Sequence, residues 1–551
     1  MTDRRSAERR IAGRPASPGY AAGALYVGPI GARAERTAGD PAAERAALQA
    51  AIEAAAEALR DLAQGAGVQA AGILELQVAF LEDEVLAEPA YAAIEQGVPA
   101  QQAWAAALDV EIAGYEASED EYFRARAADL HDIRERVLGL LHGGGGAEPA
   151  GAVPAGAIWL APDITPSRFL AFDWARGGAI ALTGGSPTSH VAMLARARGV
   201  PMVVGLQATA GETGGLHLAP AVLDARSGEL VVHPGAAARA NFEQAARSYA
   251  ESAGRAAAHL HAAACTADGT RIRVLLNVAE PADLETLDPS ICDGIGLVRT
   301  EFLFERHGGQ PDEATQVACY ERILEWAAGR PVTFRTLDAG GDKPIPGLTI
   351  DGESNPFLGV RGLRLSLLRP GVFRRQLRAL ARAAASAPAG AEVKLMLPMV
   401  TLAAELTHAR AILDDEIAGL AAAAIAHRRP ALGIMVEVPA AALAIDTFDA
   451  EFLSIGSNDL VQYLAAAGRD NAAVAGLADP LQPAVLRVLA QVCRHAAASG
   501  IEASLCGDAA GDPRAVPALL HAGLRVLSVA APAVAQVKAA IAAVDLGRAH
   551  D

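Results

Sequence analysis

The second half of the chain carries a rhythm that leaves few folds open. From residue 271 onward, eight short apolar runs alternate with helix-length segments: RIRVLLNV, GIGLVRTE, PVTFRTLD, VKLMLPMV, ALGIMVEV, EFLSIGSN, EASLCGD and RVLSVAA. Runs this rich in Val, Ile and Leu suit strands buried on both faces, and parallel strands need crossover helices between them. Eight such units predict a TIM-type (β/α)8 barrel. An open doubly wound sheet would need a phosphate loop at its switch point; no GxGxxG follows a first strand and no GxxxxGK[ST] occurs.

The first half divides by composition. Residues 14–30 read as a turn and a short strand. Residues 38–142 repeat Ala, Leu and charges at helical spacing and predict a helical insert. The run HGGGGAEPAGAVPAG reads as a linker. Residues 151–235 hold short β-type runs, AIWLA, GAIAL, PMVVG, AVLDA and ELVVH, with one helix pattern at 189–198. The expected organisation is multidomain α/β: a β/α domain from 1–37 and 143–235, the insert at 38–142, a helical linker at 236–264 and the barrel at 265–551.

Composition narrows the function classes. The 551 residues carry a net charge of −17, which argues against sequence-independent nucleic-acid binding and suits a small basic protein partner. Five scattered cysteines with no CxxC pair argue against a zinc site or disulfide framework. The N-terminal MTDRRSAERRIAG lacks the apolar core of a signal peptide, and no run is long enough to span a membrane. A cytoplasmic location is expected, with no membrane insertion.

Active sites of (β/α)8 barrels collect at the C-terminal strand ends. Here those ends read Asn277, Arg299, Arg335, Met399, Glu437, Asn458 with Asp459, Cys506 and Ser528. Arg299 and Arg335 offer planar forks matching phosphate or carboxylate oxygens, and Arg361, Arg469 and Lys343 could add to them. Glu437 and Asp459 suffice to hold Mg²⁺ when substrate oxygens complete its octahedron. Guanidiniums and Mg²⁺ around an anion are what phosphoryl transfer requires. Cys506 is either a buried core thiol or a proton donor at the mouth.

His190 sits in GGSPTSHVAMLARARGVP. No second ligand lies at metal spacing. A helix cap and a nucleophile that forms phosphohistidine both remain open. In the second reading, glycines 184 and 185 let the backbone approach, while helix amides, Thr188 and Ser189 hold the incoming oxygens.

In order along the chain, GRPASPG, FLEDEVL, RAADLHDI, GGSPTSHVAMLAR, GIGLVRTEFLF, FRTLDAGGDK, ESNPFLGVRGLR, IMVEVPAA, SIGSNDLVQY and CGDAAGD resemble Enzyme I of the bacterial phosphotransferase system. The resemblance covers nearly the whole chain. It implies that phosphoenolpyruvate binds at the barrel mouth with Mg²⁺ on Glu437 and Asp459. Arg299, Arg335, Arg361, Asn458 and Arg469 hold its phosphate and carboxylate. His190, in a phosphohistidine β/α domain, takes the phosphoryl group, and Cys506 protonates the enolate to give pyruvate. The insert docks the carrier protein HPr, whose histidine is phosphorylated next, and the barrel forms a homodimer.

The chain departs from the family pattern in places. ILELQVAFLEDE replaces the usual Glu-Gly-His before the aliphatic run. Val191 and Ser457 stand for Thr, Gly468 for Asp, and Asp508 for Glu. Two rivals are a dikinase-type enzyme charged by a nucleotide and a phosphoenolpyruvate-sensing regulator. The first needs a large nucleotide-grasping domain, for which the residues before Gly184 leave no room.

Overall fold

The computed structural model describes residues 7–27, 39–64, 68–117, 121–142, 155–185, 187, 189–208, 214–306, 309–341, 345–350, 352–468 and 474–547. The predicted residues Thr188, Lys343 and Arg469 and most of the glycine-rich linker lie outside them. Two compact units divide between Glu251 and Ser252.

In the first unit, among the described residues, eight strands form one sheet: β1 (Arg9–Ala12), β2 (Arg14–Ser17), β3 (Tyr20–Val27), β4 (Ile158–Ala161), β5 (Ala179–Leu182), β6 (Met202–Val204), β7 (Pro220–Asp224) and β8 (Glu229–Val232). Their order is β1-β8-β7-β3-β4-β5-β6-β2. Alternation sorts the β4 side chains onto two buried faces. Ile158 and Leu160 join one core with Leu223 and Val232. Trp159 and Ala161 join the other.

That second core is continuous with the helical segment. Among the described residues the segment comprises Pro41–Gln64, Val68–Glu82, Glu84–Glu95, Ala100–Glu116 and Glu121–Leu141. Its Leu48, Leu59, Trp104 and Val137 share a cluster with Val191 and Leu194. A buried polar knot reinforces the junction. Asp132 accepts the Ser167 hydroxyl at 2.6 Å, the Ser167 N–H at 3.1 Å and Gln77 Nε2 at 3.2 Å. Gln77 also donates to Asp129 at 3.1 Å. The RAADLHDI stretch therefore ties the last insert helix to the turn of helix at Pro166–Ala171.

The N-terminal expectation needs correction. Residues 14–30 hold two strands rather than a turn and a strand, and Arg9–Ala12 forms a third. Strands β1 and β2 are the two sheet edges. Pro15 hid β2, because proline removes a ladder donor, a loss that an edge strand tolerates. Likewise the helix expected over 236–264 ends at Ala257. Beyond it the chain turns, and Lys538 Nζ captures the Leu260 and Ala262 carbonyls at 2.7 and 2.9 Å.

The second unit is a closed barrel of eight parallel strands: β9 (Arg273–Val278), β10 (Ile295–Val298), β11 (Val332–Arg335), β12 (Val393–Leu397), β13 (Ala431–Val436), β14 (Phe452–Ile455), β15 (Glu502–Leu505) and β16 (Val526–Val529). Strands β16 and β9 close it through pairs such as Leu527 with Val274. Leu297, Met396, Met435, Phe452 and Cys506 pack as one apolar cluster from alternating positions on or just beyond their strands. All eight apolar runs of the sequence are strands, in the expected order.

Candidate functional site at the barrel mouth

The C-terminal strand ends gather an unusual density of buried charge. Arg335 ends β11 and is 5% exposed; Arg361, Glu437 and Asp459 are 0%, 1% and 6% exposed. Burying such groups costs heavily unless they pair. Arg335 Nη2 meets Glu301 at 2.9 Å and Nη1 meets Asp338 at 2.9 Å. Arg361 Nη2 meets Asp338 at 3.1 Å and Asp459 at 3.3 Å. Burial pulls both guanidiniums down, yet the surrounding carboxylates outweigh it and hold both above the ordinary arginine value.

Glycine makes this crowding possible. Gly340 has φ +104°, and a Cβ there would lie 2.5 Å from the Val360 carbonyl and 2.8 Å from Arg361 Cβ. Any side chain would push the Arg361 segment away.

Glu437 follows β13 and accepts the Met399 N–H at 2.6 Å. Burial, then the charges of Asp338 and Asp459, push its carboxyl up to about 8, against the opposing pull of Arg335 and Arg361. Four buried carboxylates, Glu301, Asp338, Glu437 and Asp459, thus face two buried guanidiniums. Three buried donors near the same end, Arg335 Nε, Thr336 Oγ1 and Ser457 Oγ, meet no acceptor. Each such orphan costs about 1–3 kcal/mol, a loss that ligand oxygens would recover.

The other predicted residues fall around this core. Asn458, half-buried at the start of the Ser457–Ala465 helix, donates to Asp508 at 3.0 Å and accepts the Asp508 N–H at 2.9 Å. Cys506 follows β15 and is 3% exposed. Its Sγ accepts the Ser454 hydroxyl at 3.3 Å. Burial raises its thiol above the ordinary range. Asn277 donates to the Cys506 carbonyl at 3.0 Å and accepts the Ser528 hydroxyl at 2.7 Å. Arg299, just past β10, is exposed.

In the first unit, His190 is the first residue of the His190–Arg198 helix. The cap is Ser189, whose hydroxyl accepts the Ala192 N–H at 3.3 Å. The capping role is therefore filled by Ser189 and not by His190. Arg196 Nη1 donates to the Pro187 carbonyl at 2.9 Å and the Ala16 carbonyl at 2.6 Å, tying the loop before His190 to β2.

Comparison with known proteins accounts for both units. Residues 254–546 match the PEP-utilising enzyme PEP-binding domain, 153–228 its mobile domain, and 12–126 its N-terminal domain. A phosphoenolpyruvate-protein phosphotransferase of Haloferax volcanii is 39% identical over 89% of this chain and 85% of its own. The chain belongs to the phosphoenolpyruvate-protein phosphotransferase family. A Geobacillus stearothermophilus phosphoenolpyruvate-protein phosphotransferase is 36% identical over 96% of this chain and 93% of its own. That of Enterococcus faecalis is 34% identical over 88% and 84%.

As a phosphoenolpyruvate-protein phosphotransferase the chain is an enzyme of phosphoryl transfer from phosphoenolpyruvate, and the buried mouth of its PEP-binding domain is the place to seek that chemistry. Sequence reading missed Glu301 and Asp338. Their signal was positional: Glu301 lies two residues past Arg299, and Asp338 lies three past Arg335, within reach of the same strand ends.

Proposed function

We propose that this enzyme moves the phosphoryl group of phosphoenolpyruvate first to His190 and then to a histidine of an HPr-type carrier, releasing pyruvate as the entry step of a sugar phosphotransferase system. One observation carries the reading. Paired guanidiniums, unpaired buried donors and surplus carboxylates meet at the mouth of the domain that matches a PEP-binding model, while a histidine opens a helix in the stretch that matches a mobile domain.

Arg299, Arg335, Arg361, Asn458 and Arg469 hold the phosphate and carboxylate of the substrate. A trianion entering a mouth with more buried carboxylates than guanidiniums needs a cation with it. Among the described residues no three His, Cys, Asp or Glu side chains form a metal cage. Two hard carboxylates, Glu437 and Asp459, completed by substrate oxygens, fit Mg²⁺. When bound, Mg²⁺ supplies charge neutralisation on the phosphoryl and carboxylate oxygens.

The neutral imidazole of His190 attacks phosphorus. The P–N bond forms as the P–O bond to the enol oxygen breaks. The buried neutral thiol of Cys506 gives its proton to the methylene carbon of the enolate, yielding pyruvate. The carrier histidine then takes the phosphoryl group from His190.

The helical segment suits a basic carrier. A groove of about 850 Å³ there is lined by five carboxylates, Glu53, Glu82, Asp83, Glu88 and Glu95, against two arginines, Arg45 and Arg60, which pair with Glu95 and Glu82. Val85 stands 72% exposed beside them. Pairing of two copies through the barrel is supported by Leu358, Leu402, Leu443 and Leu477, each more than half exposed in the segments that follow the successive strands β11 to β14. Among the described residues no helix is long and apolar enough to cross a membrane, and we place the enzyme in the cytoplasm.

Incubation with labelled phosphoenolpyruvate and Mg²⁺, with and without HPr-type carriers, tests the reading. Acid-labile label on the chain that passes to a carrier is expected. A chain that is charged only by a nucleotide, or that keeps its label, contradicts it.

A further inference from the structure

We propose that Asp338, backed by Glu301, is a positioning residue that sets the spacing and orientation of the two buried guanidinium forks for phosphoenolpyruvate. This rests on the reading of the barrel mouth as the substrate site.

The juxtaposition is specific. Asp338 is fully buried between two arginines from different segments. Its Oδ2 takes Arg335 Nη1 at 2.9 Å and Arg361 Nη2 at 3.1 Å. Its Oδ1 takes Arg361 Nε at 3.3 Å and Nη2 at 3.2 Å. A single carboxylate therefore grips both forks, and its charge relieves the repulsion between them. Glu301 completes the frame. One of its oxygens holds Arg335 Nη2 at 2.9 Å and the other accepts the Asp338 N–H at 2.8 Å.

These bonds leave a consequence at Arg335. Both of its terminal nitrogens are engaged by carboxylates, while its Nε is buried without an acceptor. The clamp thus fixes which edge of the guanidinium is left for a substrate oxygen. The chain behind the clamp is stiffened as well. Gln376 accepts the Leu337 N–H at 3.0 Å and donates to Thr300 Oγ1 at 3.0 Å, and that hydroxyl donates to the Arg335 carbonyl at 2.9 Å. Bidentate recognition demands such fixed geometry. Neither carboxylate touches the reacting atoms in this account. Both act through the arginines.

The test uses the full chain. Asp338→Asn keeps the shape, removes the charge, and turns one acceptor into a donor facing guanidinium N–H groups. The expected result is a KM for phosphoenolpyruvate raised at least tenfold, with kcat changed less than threefold. Transfer from pre-phosphorylated His190 to a carrier stays at the parental rate. Glu301→Gln, which leaves Asp338 on Arg361, should raise KM about threefold and serves if Asp338→Asn does not fold. A merely structural role lowers the fraction of active enzyme and leaves KM of the remainder parental; that result overturns the proposal. Isothermal titration of phosphoenolpyruvate with Mg²⁺ into the parent carrying His190→Ala separates the two levels. A parent that binds, beside an Asp338→Asn chain that binds equally well, overturns the positioning role alone. A parent that does not bind overturns the substrate-site reading and the positioning role with it.

Discussion

Asn458 and Asp508 close a two-bond ring between neighbouring strand ends: the amide donates to the carboxylate at 3.0 Å and accepts the Asp508 N–H at 2.9 Å. The ring joins the start of the helix after β14 to the loop after β15. It fixes which side of the amide faces the mouth. Asp508→Ala keeps the backbone bond to the amide oxygen but removes the carboxylate that holds the amide NH2, and should lower kcat/KM for phosphoenolpyruvate by about tenfold, equivalent to about 1.4 kcal/mol. Continuous assay of pyruvate release reads this, and an unchanged value would remove Asn458 orientation from the mechanism.

The Cys506 thiol gives a pH prediction. Its pKa is raised, chiefly by burial, so the proton-donating form persists above the ordinary thiol value of about 8.5. Pyruvate formation should fall only as pH rises through that elevated value. Cys506→Ala should abolish this alkaline limb and cut pyruvate formation by about 100-fold, in the range of a lost general acid, while His190 is still phosphorylated. An alkaline limb that survives the substitution would assign it to another group.

Charge balance at the mouth predicts a divided response to metal removal. Chelation should stop charging of His190 by phosphoenolpyruvate and leave transfer from phosphorylated His190 to a carrier intact. Asp459→Asn removes one of the two proposed metal-holding carboxylates and one partner of Arg361. It should raise the Mg²⁺ concentration for half-maximal charging at least about tenfold. Quench-flow measurement of the two half-reactions separates them, and equal sensitivity of both would contradict this assignment.

Stability of the first unit is expected to depend on Asp132. Its carboxylate satisfies the Ser167 hydroxyl and N–H and Gln77. Asp132→Ala leaves buried donors unpaired and should cost about 3 kcal/mol. Urea unfolding followed by circular dichroism would show the earlier midpoint, whereas a cost under about 1 kcal/mol would mean that water or repacking satisfies these groups.

Why some of this was legible in the sequence and some was not follows from local physics. Strands such as VKLML are buried at every position, so their signal is continuous and survives without tertiary context. The Arg335, Glu437 and Asp459 positions were readable because a strand end on a (β/α)8 scaffold has a known destination. Glu301 and Asp338 were not, although they close the runs GIGLVRTE and PVTFRTLD, because the strands stop at Val298 and Arg335 and a carboxylate just past a strand end reads as a cap or a surface charge. Only the closed barrel shows that Asp338 meets Arg361. Strands β1 and β2 escaped because edge strands are short and tolerate Arg9, Arg10 and Pro15. The spacing of RAADLHDI marks a helix but not the burial of its Asp129 and Asp132, which bind Gln77.

The most direct test is to map the phosphoryl group itself. The full chain is incubated with phosphoenolpyruvate and Mg²⁺, digested at neutral pH, and read by mass spectrometry, beside a chain carrying His190→Ala. The account predicts one phosphoryl group, on the peptide bearing His190, and none on the variant, which also fails to charge a carrier. Phosphorylation that persists in the variant, or that maps to any other side chain, would contradict it.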